Sequence, residues 1–171
     1  MEWASVLNNP FLQDLPFKIE LNKWGKILMS PASNHHGLLQ SEAVFFLRSK
    51  LSGGRVITEC SIQTEDGVKV ADVAWASDDF MQRNGIATPY EEAPEICIEI
   101  VSPSNSRGEM EEKIQLYLAV GAEEVWICQD DGTVSHFAAD GQRRPSQYVA
   151  EEVSLNCARN TILPKDEEKG N

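Results

Sequence analysis

Two carboxylates in this sequence lie inside apolar, strand-like runs. In the stretch from Val68 to Trp75 (VKVADVAW), the two-residue period of a strand puts Asp72 on the face of Val68, Val70 and Ala74. An ionised carboxylate buried without a partner is costly, so Asp72 must meet a basic group, accept backbone N–H bonds or ligate a cation, unless it is exposed at a sheet edge. Glu99 lies in the run from Ile96 to Val101 (ICIEIV), which is mainly apolar on both faces and reads as a central strand. Carboxylates on two neighbouring strands suggest a site for a hard cation with oxygen ligands. Lys113 follows on a helix, four residues after Glu109 and beside Met110, Ile114 and Tyr117. It reads either as a surface Glu–Lys pair or as an ammonium that swings back over the C-terminal edge of the sheet toward a phosphate oxygen.

The elements that must position these groups can be read from periodicity and turn signals. A short helix is expected at Trp3 to Asn8, then a hairpin of Lys18 to Leu21 and Lys26 to Met29, closed by Pro31. Ser33 or Asn34 caps a helix from about His35 to Leu51, stopped by Gly53 and Gly54. Arg55 to Gln63 and Val68 to Ala76 form a second hairpin around Asp66-Gly67, and Ser77 to Pro94 reads as a long polar loop. Glu95 to Val101 is the clearest strand. A capping box, Ser106 with Glu109, then opens a helix that Gly121 ends. Strands at Glu124 to Gln129 and Thr133 to Ala138 flank Asp130-Asp131-Gly132. The strand–helix–strand crossover from Glu95 to Gln129 requires a parallel pair, which gives an α/β (α+β) fold with a mixed sheet flanked by helices.

Composition sets the outer limits. The 171 residues, 42% of them hydrophobic, suit one domain over residues 1–164, with 165–171 (KDEEKGN) as a disordered acidic tail. No basic segment followed by an apolar stretch opens the chain and no apolar run approaches ~20 residues, so a cytoplasmic protein without membrane association is expected. Cys60, Cys97, Cys128 and Cys157 lack zinc-ligand spacing and read as free thiols. The net charge of −12 argues against gripping a polyanion through bulk charge, although a local basic patch and bound cations would reduce that objection. Arg143-Arg144 reads as a solvent-exposed loop pair, and His35 and His136 carry no functional signal.

The run from Pro94 to Ser104 (PEICIEIVSPS), followed by Glu109 to Lys113 (EMEEK), Tyr117, Gly121 and Glu124-Val125-Trp126, resembles the Uma2-like family of restriction-endonuclease-like proteins, formerly a domain of unknown function. Leu15-Pro16, Lys18 to Leu21 (KIEL), Gly25 to Ala32 (GKILMSPA), His36-Gly37 and Val70 to Val73 (VADV) extend the resemblance over roughly residues 10 to 140. The resemblance implies the PD-(D/E)XK superfamily and a restriction-endonuclease-like core. It also implies an endonuclease that hydrolyses phosphodiester bonds of nucleic acid, DNA foremost, with Mg²⁺ or Mn²⁺. Asp72 and Glu99 match the motif acids and Lys113 matches a lysine supplied by the following helix. The backbone carbonyl of Ile100 and the Glu59 carboxylate are implied as further metal ligands, with His36 and Glu20 at the border of the site. A homodimer would supply two sites for two strands. The sequence departs from the superfamily pattern at Ala71, where a proline is expected, and at Val101, which replaces the strand-borne lysine of E-x-K. That second departure keeps open a nuclease-like module that binds without cutting, and a third reading in which the three charges only shape the fold.

Overall fold

The computed structural model describes residues 2–155 apart from 14, 16, 32 and 104. Helix α1 (Trp3–Leu7) precedes an antiparallel hairpin of β1 (Phe17–Leu21) and β2 (Ile27–Pro31). Helix α2 (Asn34–Lys50) leads to β3 (Arg55–Thr64) and β4 (Gly67–Ala76), and after α3 (Asp78–Asn84) come β5 (Ile96–Ile100), α4 (Arg107–Ala119), β6 (Glu124–Cys128) and β7 (Val134–Ala138). The five strands β3 to β7 form one sheet in chain order, antiparallel at every step except β5–β6. This is the mixed sheet expected from the crossover. Cys157 and the 165–171 tail lie outside the described residues. Among those described, no helix is long and apolar enough to cross a membrane.

One long helix covers each face of the sheet. Ser33 accepts a hydrogen bond from the His36 N–H and so caps α2, whose Leu39, Ala43 and Leu47 pack on Val73, Ile96, Ile98 and Trp126. Ser106 and Glu109 complete the capping box of α4, and its Met110, Ile114 and Tyr117 pack on the opposite face against Cys60, Ile62, Cys97, Val125 and Ile127. Cys60, Cys97 and Cys128 are buried, as expected.

Two expectations need correction. The stretch from Ser77 to Pro94 is not all loop: Ser77 caps α3, and Phe80 is buried against Tyr90. Nor does β4 alternate strictly. Ala71 and Ala74, three residues apart, pack into one apolar cluster, whereas Val68 packs with Leu21 under the β1–β2 hairpin. The break has a local cause. On either side of Asp72, β3 and β4 keep one register, Thr58 opposite Val73 and Cys60 opposite Ala71, but the intervening Glu59 has φ +52° and leaves the ladder. A left-handed conformation costs a non-glycine residue about 1–2 kcal/mol. It is held here by Gln40, whose Nε2 donates to Glu59 Oε1 at 2.9 Å and to the Asp72 carbonyl at 2.8 Å.

Candidate active site

The site forms where β4 separates from β5. Those strands pair only from Val73 to Trp75. One step further, the ladder is replaced by a side chain, because the Ile100 N–H donates to Asp72 Oδ2 at 2.7 Å. Freed from β5, β4 meets β1 instead, and the Val70 N–H donates to Glu20 Oε1 at 3.0 Å. The opening lies at the C-terminal end of β5, the edge of a parallel pair where ligands usually bind. A cavity of about 360 Å³ opens there, with Lys18, His36, Gln40, Glu59, Asp72, Glu99, Ile100 and Lys113 among its walls.

Asp72 and Glu99 are 1% and 2% exposed, so every oxygen needs a partner. Asp72 Oδ1 accepts from Lys18 Nζ at 2.7 Å and lies 3.3 Å from His36 Nε2. Glu99 Oε1 accepts from the Tyr117 hydroxyl at 2.6 Å, and Oε2 accepts from Lys113 Nζ at 3.1 Å and Lys18 Nζ at 3.3 Å. Lys113 also donates to Glu20 Oε1 at 2.7 Å. The result is a network of three acids and two lysines, closed by a tyrosine and a histidine.

The network drives its carboxylates apart. Burial would raise the Asp72 pKa, but the Lys18 charge and the hydrogen bond to His36 outweigh it, and Asp72 lies well below the usual carboxylate range. At Glu99 burial prevails over Lys113 and Lys18, with Asp72 and Glu20 adding repulsion, so its pKa rises. Burial opposes the Lys18 charge, yet Glu99, Asp72 and Glu20 hold its pKa above the ordinary lysine value. The hydrogen bond to Asp72 raises the His36 pKa against the effect of burial. Two neighbouring acids are thus shifted in opposite directions, a pattern found in catalytic sites and in structural ion-pair networks alike.

The residues expected at the site meet these positions unevenly. Asp72, Glu99, Lys113, Glu20 and His36 are brought together, and Ile100 contributes its backbone. Glu59 lines the same cavity, but Gln40 holds it, and no group of three or more His, Cys, Asp or Glu among the described residues has the arrangement of a metal cage. The surface pairing of Lys113 with Glu109 does not form, since Glu109 accepts from the Ser106 N–H. Val101, at the missing E-x-K position, packs into the apolar cluster beneath α4, and cations reach Glu99 from α4 and β1 instead. Sequence reasoning missed Lys18, Tyr117 and Gln40 as site residues. Lys18 was within reach, because it lies two residues from Glu20 and so on the same face of β1.

The donor set fits a hard divalent cation. Asp72 Oδ1 and Glu99 Oε2 converge on a single positively charged atom, Lys18 Nζ. Two carboxylate oxygens with room for water suit Mg²⁺, which keeps several waters and seldom has an all-protein cage.

Comparison with known proteins agrees with this architecture. A family profile for Uma2, described as "Putative restriction endonuclease", matches residues 11–162. No curated protein matches the sequence. A crystal structure described as a "putative nuclease belonging to DUF820" from Anabaena variabilis ATCC 29413 superimposes with a TM-score of 0.67 at 22% identity, covering 91% of this chain and 95% of that one. At that identity the likeness concerns the fold, a restriction-endonuclease-like α+β core. Because the profile spans most of its length, the chain belongs to the Uma2 family of restriction-endonuclease-like proteins.

Proposed function

We propose that this protein is a divalent-metal-dependent endonuclease that hydrolyses phosphodiester bonds of DNA, with Asp72, Glu99 and Lys113 as its catalytic residues. The observation that carries the reading is the convergence of Asp72 Oδ1 and Glu99 Oε2 on one cationic position, beside an ammonium fixed to the same Glu99 oxygen. Asp72, Glu99 and the Ile100 carbonyl would hold Mg²⁺ or Mn²⁺, which supplies Lewis-acid polarisation of the phosphate and offsets its charge. Tyr117 fixes the Glu99 carboxylate through Oε1, leaving Oε2 turned to the cavity. Lys113 Nζ, anchored by Glu20, stands where it can orient an attacking water or donate to a phosphoryl oxygen as charge develops there. Lys18, Lys113 and His36 share the cavity with Glu59, Asp72 and Glu99, so in a chain of net charge −12 the bound dication would be what offsets the charge of a phosphate there. Cutting both strands of a duplex would require a second copy of the site, which a homodimer would supply.

Incubation of supercoiled plasmid with the protein in Mg²⁺, Mn²⁺ or EDTA tests the proposal. Nicking should require metal and vanish in the Asp72→Ala, Glu99→Ala double variant. Undiminished nicking by that variant would refute it. One observation favours a module that binds without cutting: both acids are already paired with lysines, and Val101 replaces the strand-borne lysine. Retarded DNA migration without cleavage, together with no heat on titration with Mn²⁺, would select that second reading.

A further inference from the structure

We propose that Lys18 is a displaceable internal cation: its ammonium holds Asp72 and Glu99 together in the metal-free protein, and a divalent ion must expel it into the cavity in order to bind. The inference rests on the metal-dependent reading above. It follows from an inventory of the four carboxylate oxygens. Asp72 Oδ2 is taken by the Ile100 N–H at 2.7 Å and Glu99 Oε1 by the Tyr117 hydroxyl at 2.6 Å, and both donors are buried parts of the scaffold. That leaves Asp72 Oδ1 and Glu99 Oε2. Among the described residues, the one cation in contact with both is Lys18 Nζ, at 2.7 and 3.3 Å. A dication bound to both oxygens would have to lie between them, in the immediate neighbourhood of Nζ, where two positive centres repel strongly.

The two lysines differ in how firmly they are held. Lys113 has a short anchor outside the metal position, at 2.7 Å from Glu20, and can remain when Glu99 Oε2 turns to a metal. Lys18 lies 4.0 Å from Glu20, so its hydrogen bonds are those to the two carboxylates that the metal would claim. Its flexible four-carbon stem lines the cavity, which gives the ammonium a way out without backbone movement. Once displaced, it remains on the wall past which an anionic substrate must enter, and the charge that kept the acids together becomes a phosphate contact. The metal-free site is thereby protected from carboxylate repulsion, at the expense of metal affinity.

Replacing Lys18 removes the competitor. If the ammonium occupies its inward position about nine-tenths of the time, Lys18→Met should bind Mn²⁺ about tenfold more tightly than the unmodified protein in calorimetric titration. Adding Asp72→Asn to Lys18→Met should abolish that binding. Affinity in Lys18→Met equal to or weaker than that of the unmodified protein would overturn the proposal. Metal-dependent nicking by the unmodified protein alongside that result would leave the nuclease reading standing, whereas tighter binding without nicking would uphold the displacement of Lys18 and remove the nuclease reading. Should Lys18→Met fail to fold, reductive methylation of the unmodified protein followed by peptide mass spectrometry gives the answer. Saturating Mg²⁺ should increase modification of Lys18 several-fold over EDTA and leave Lys113 unchanged, and equal protection of Lys18 in the two conditions would overturn the inference.

Discussion

Glu99 on β5 and Glu124 on β6 belong to adjacent parallel strands and are 2% and 3% exposed, yet the protein satisfies them in different ways. Glu124 accepts from the Trp126 indole N–H and the Ser146 hydroxyl at 2.7 Å each and from the Gln147 N–H at 2.6 Å. Those donors are neutral: Trp126 is set in the packed face that also buries Ile96 and Val149, and Ser146 and Gln147 come from the segment after β7. Glu99 faces the other side of the sheet, where two lysines and a tyrosine meet its oxygens beside an open cavity. Saturation by fixed neutral donors makes a structural carboxylate. Saturation by movable cations makes one whose partners a metal or a phosphate can replace.

Conservative amide substitutions at the two positions should therefore fail in opposite ways. Glu99→Gln should lower the nicking rate roughly a thousand-fold, about 4 kcal/mol of transition-state stabilisation, while the chain remains folded. Glu124→Gln turns an amide N–H toward donors that need an acceptor, and should cost about 2 kcal/mol in urea unfolding with the rate per folded molecule unchanged. Comparable losses of activity from both variants would dissolve the distinction.

The next largest effect concerns the anchor of the charged side. Lys113→Met leaves Glu20 with the Val70 N–H as its remaining hydrogen bond and removes one cation from Glu99. Breaking such a pair while the acids stay buried should cost about 3 kcal/mol in denaturant unfolding without metal. Saturating Mg²⁺ should recover part of it, since the ion supplies the missing positive charge. No metal dependence of the loss would show that Lys113 serves Glu20 rather than Glu99.

Why only part of this was legible in the sequence follows from the range of each signal. Local chemistry was readable: the Ser106–Glu109 box, the apolar run around Glu99, and Asp66-Gly67 closing the β3–β4 hairpin are patterns within a few residues, and all of them form. Helix α3 escaped because seven residues with one buried apolar side chain, Phe80, produce no periodic stripe. Asp72 and Glu99 were conspicuous because a carboxylate in an apolar strand demands a partner. The partner itself was not, since Lys18 is 54 residues from Asp72 and joins it only because β1 crosses β4 where β5 has left. The break in alternation at Asp72 was invisible for a related reason, depending on Gln40 of α2 holding Glu59 in a left-handed conformation.

A smaller test separates the tyrosine from the lysines. Tyr117→Phe removes the hydroxyl that fixes Glu99 Oε1 and adds no charge. It should cost about 1 kcal/mol in stability, the ordinary net value of one such bond. If its role is to aim Oε2, Mn²⁺ affinity should weaken as well, an effect no Glu124 variant should share. Unaltered affinity would confine Tyr117 to the packing of α4.

The smallest expected effect is a pH slope confined to the cavity side. The hydrogen bond to Asp72 raises the His36 pKa above its ordinary value of 6.5, so its stabilisation is full below pH 6.5 and is lost as pH rises through the raised value. Asp72 behaves in the opposite sense. Its pKa is lowered, so its stabilisation is present above the ordinary 3.8 and fades as pH falls through the depressed value. In EDTA, urea midpoints of the unmodified protein should therefore decline above pH 6.5, and His36→Gln should flatten that decline while moving the acid limb to higher pH, since His36 helps to hold the Asp72 pKa down. Glu124→Gln, remote from both groups, should shift the curve down and leave the His36-dependent decline in place, its own effect on pH dependence falling on His136, whose pKa Glu124 holds up against burial. A His36→Gln curve parallel to the original would mean that the His36–Asp72 contact at 3.3 Å carries no charge-dependent stability, and Asp72 would then be held by Lys18 and the Ile100 N–H.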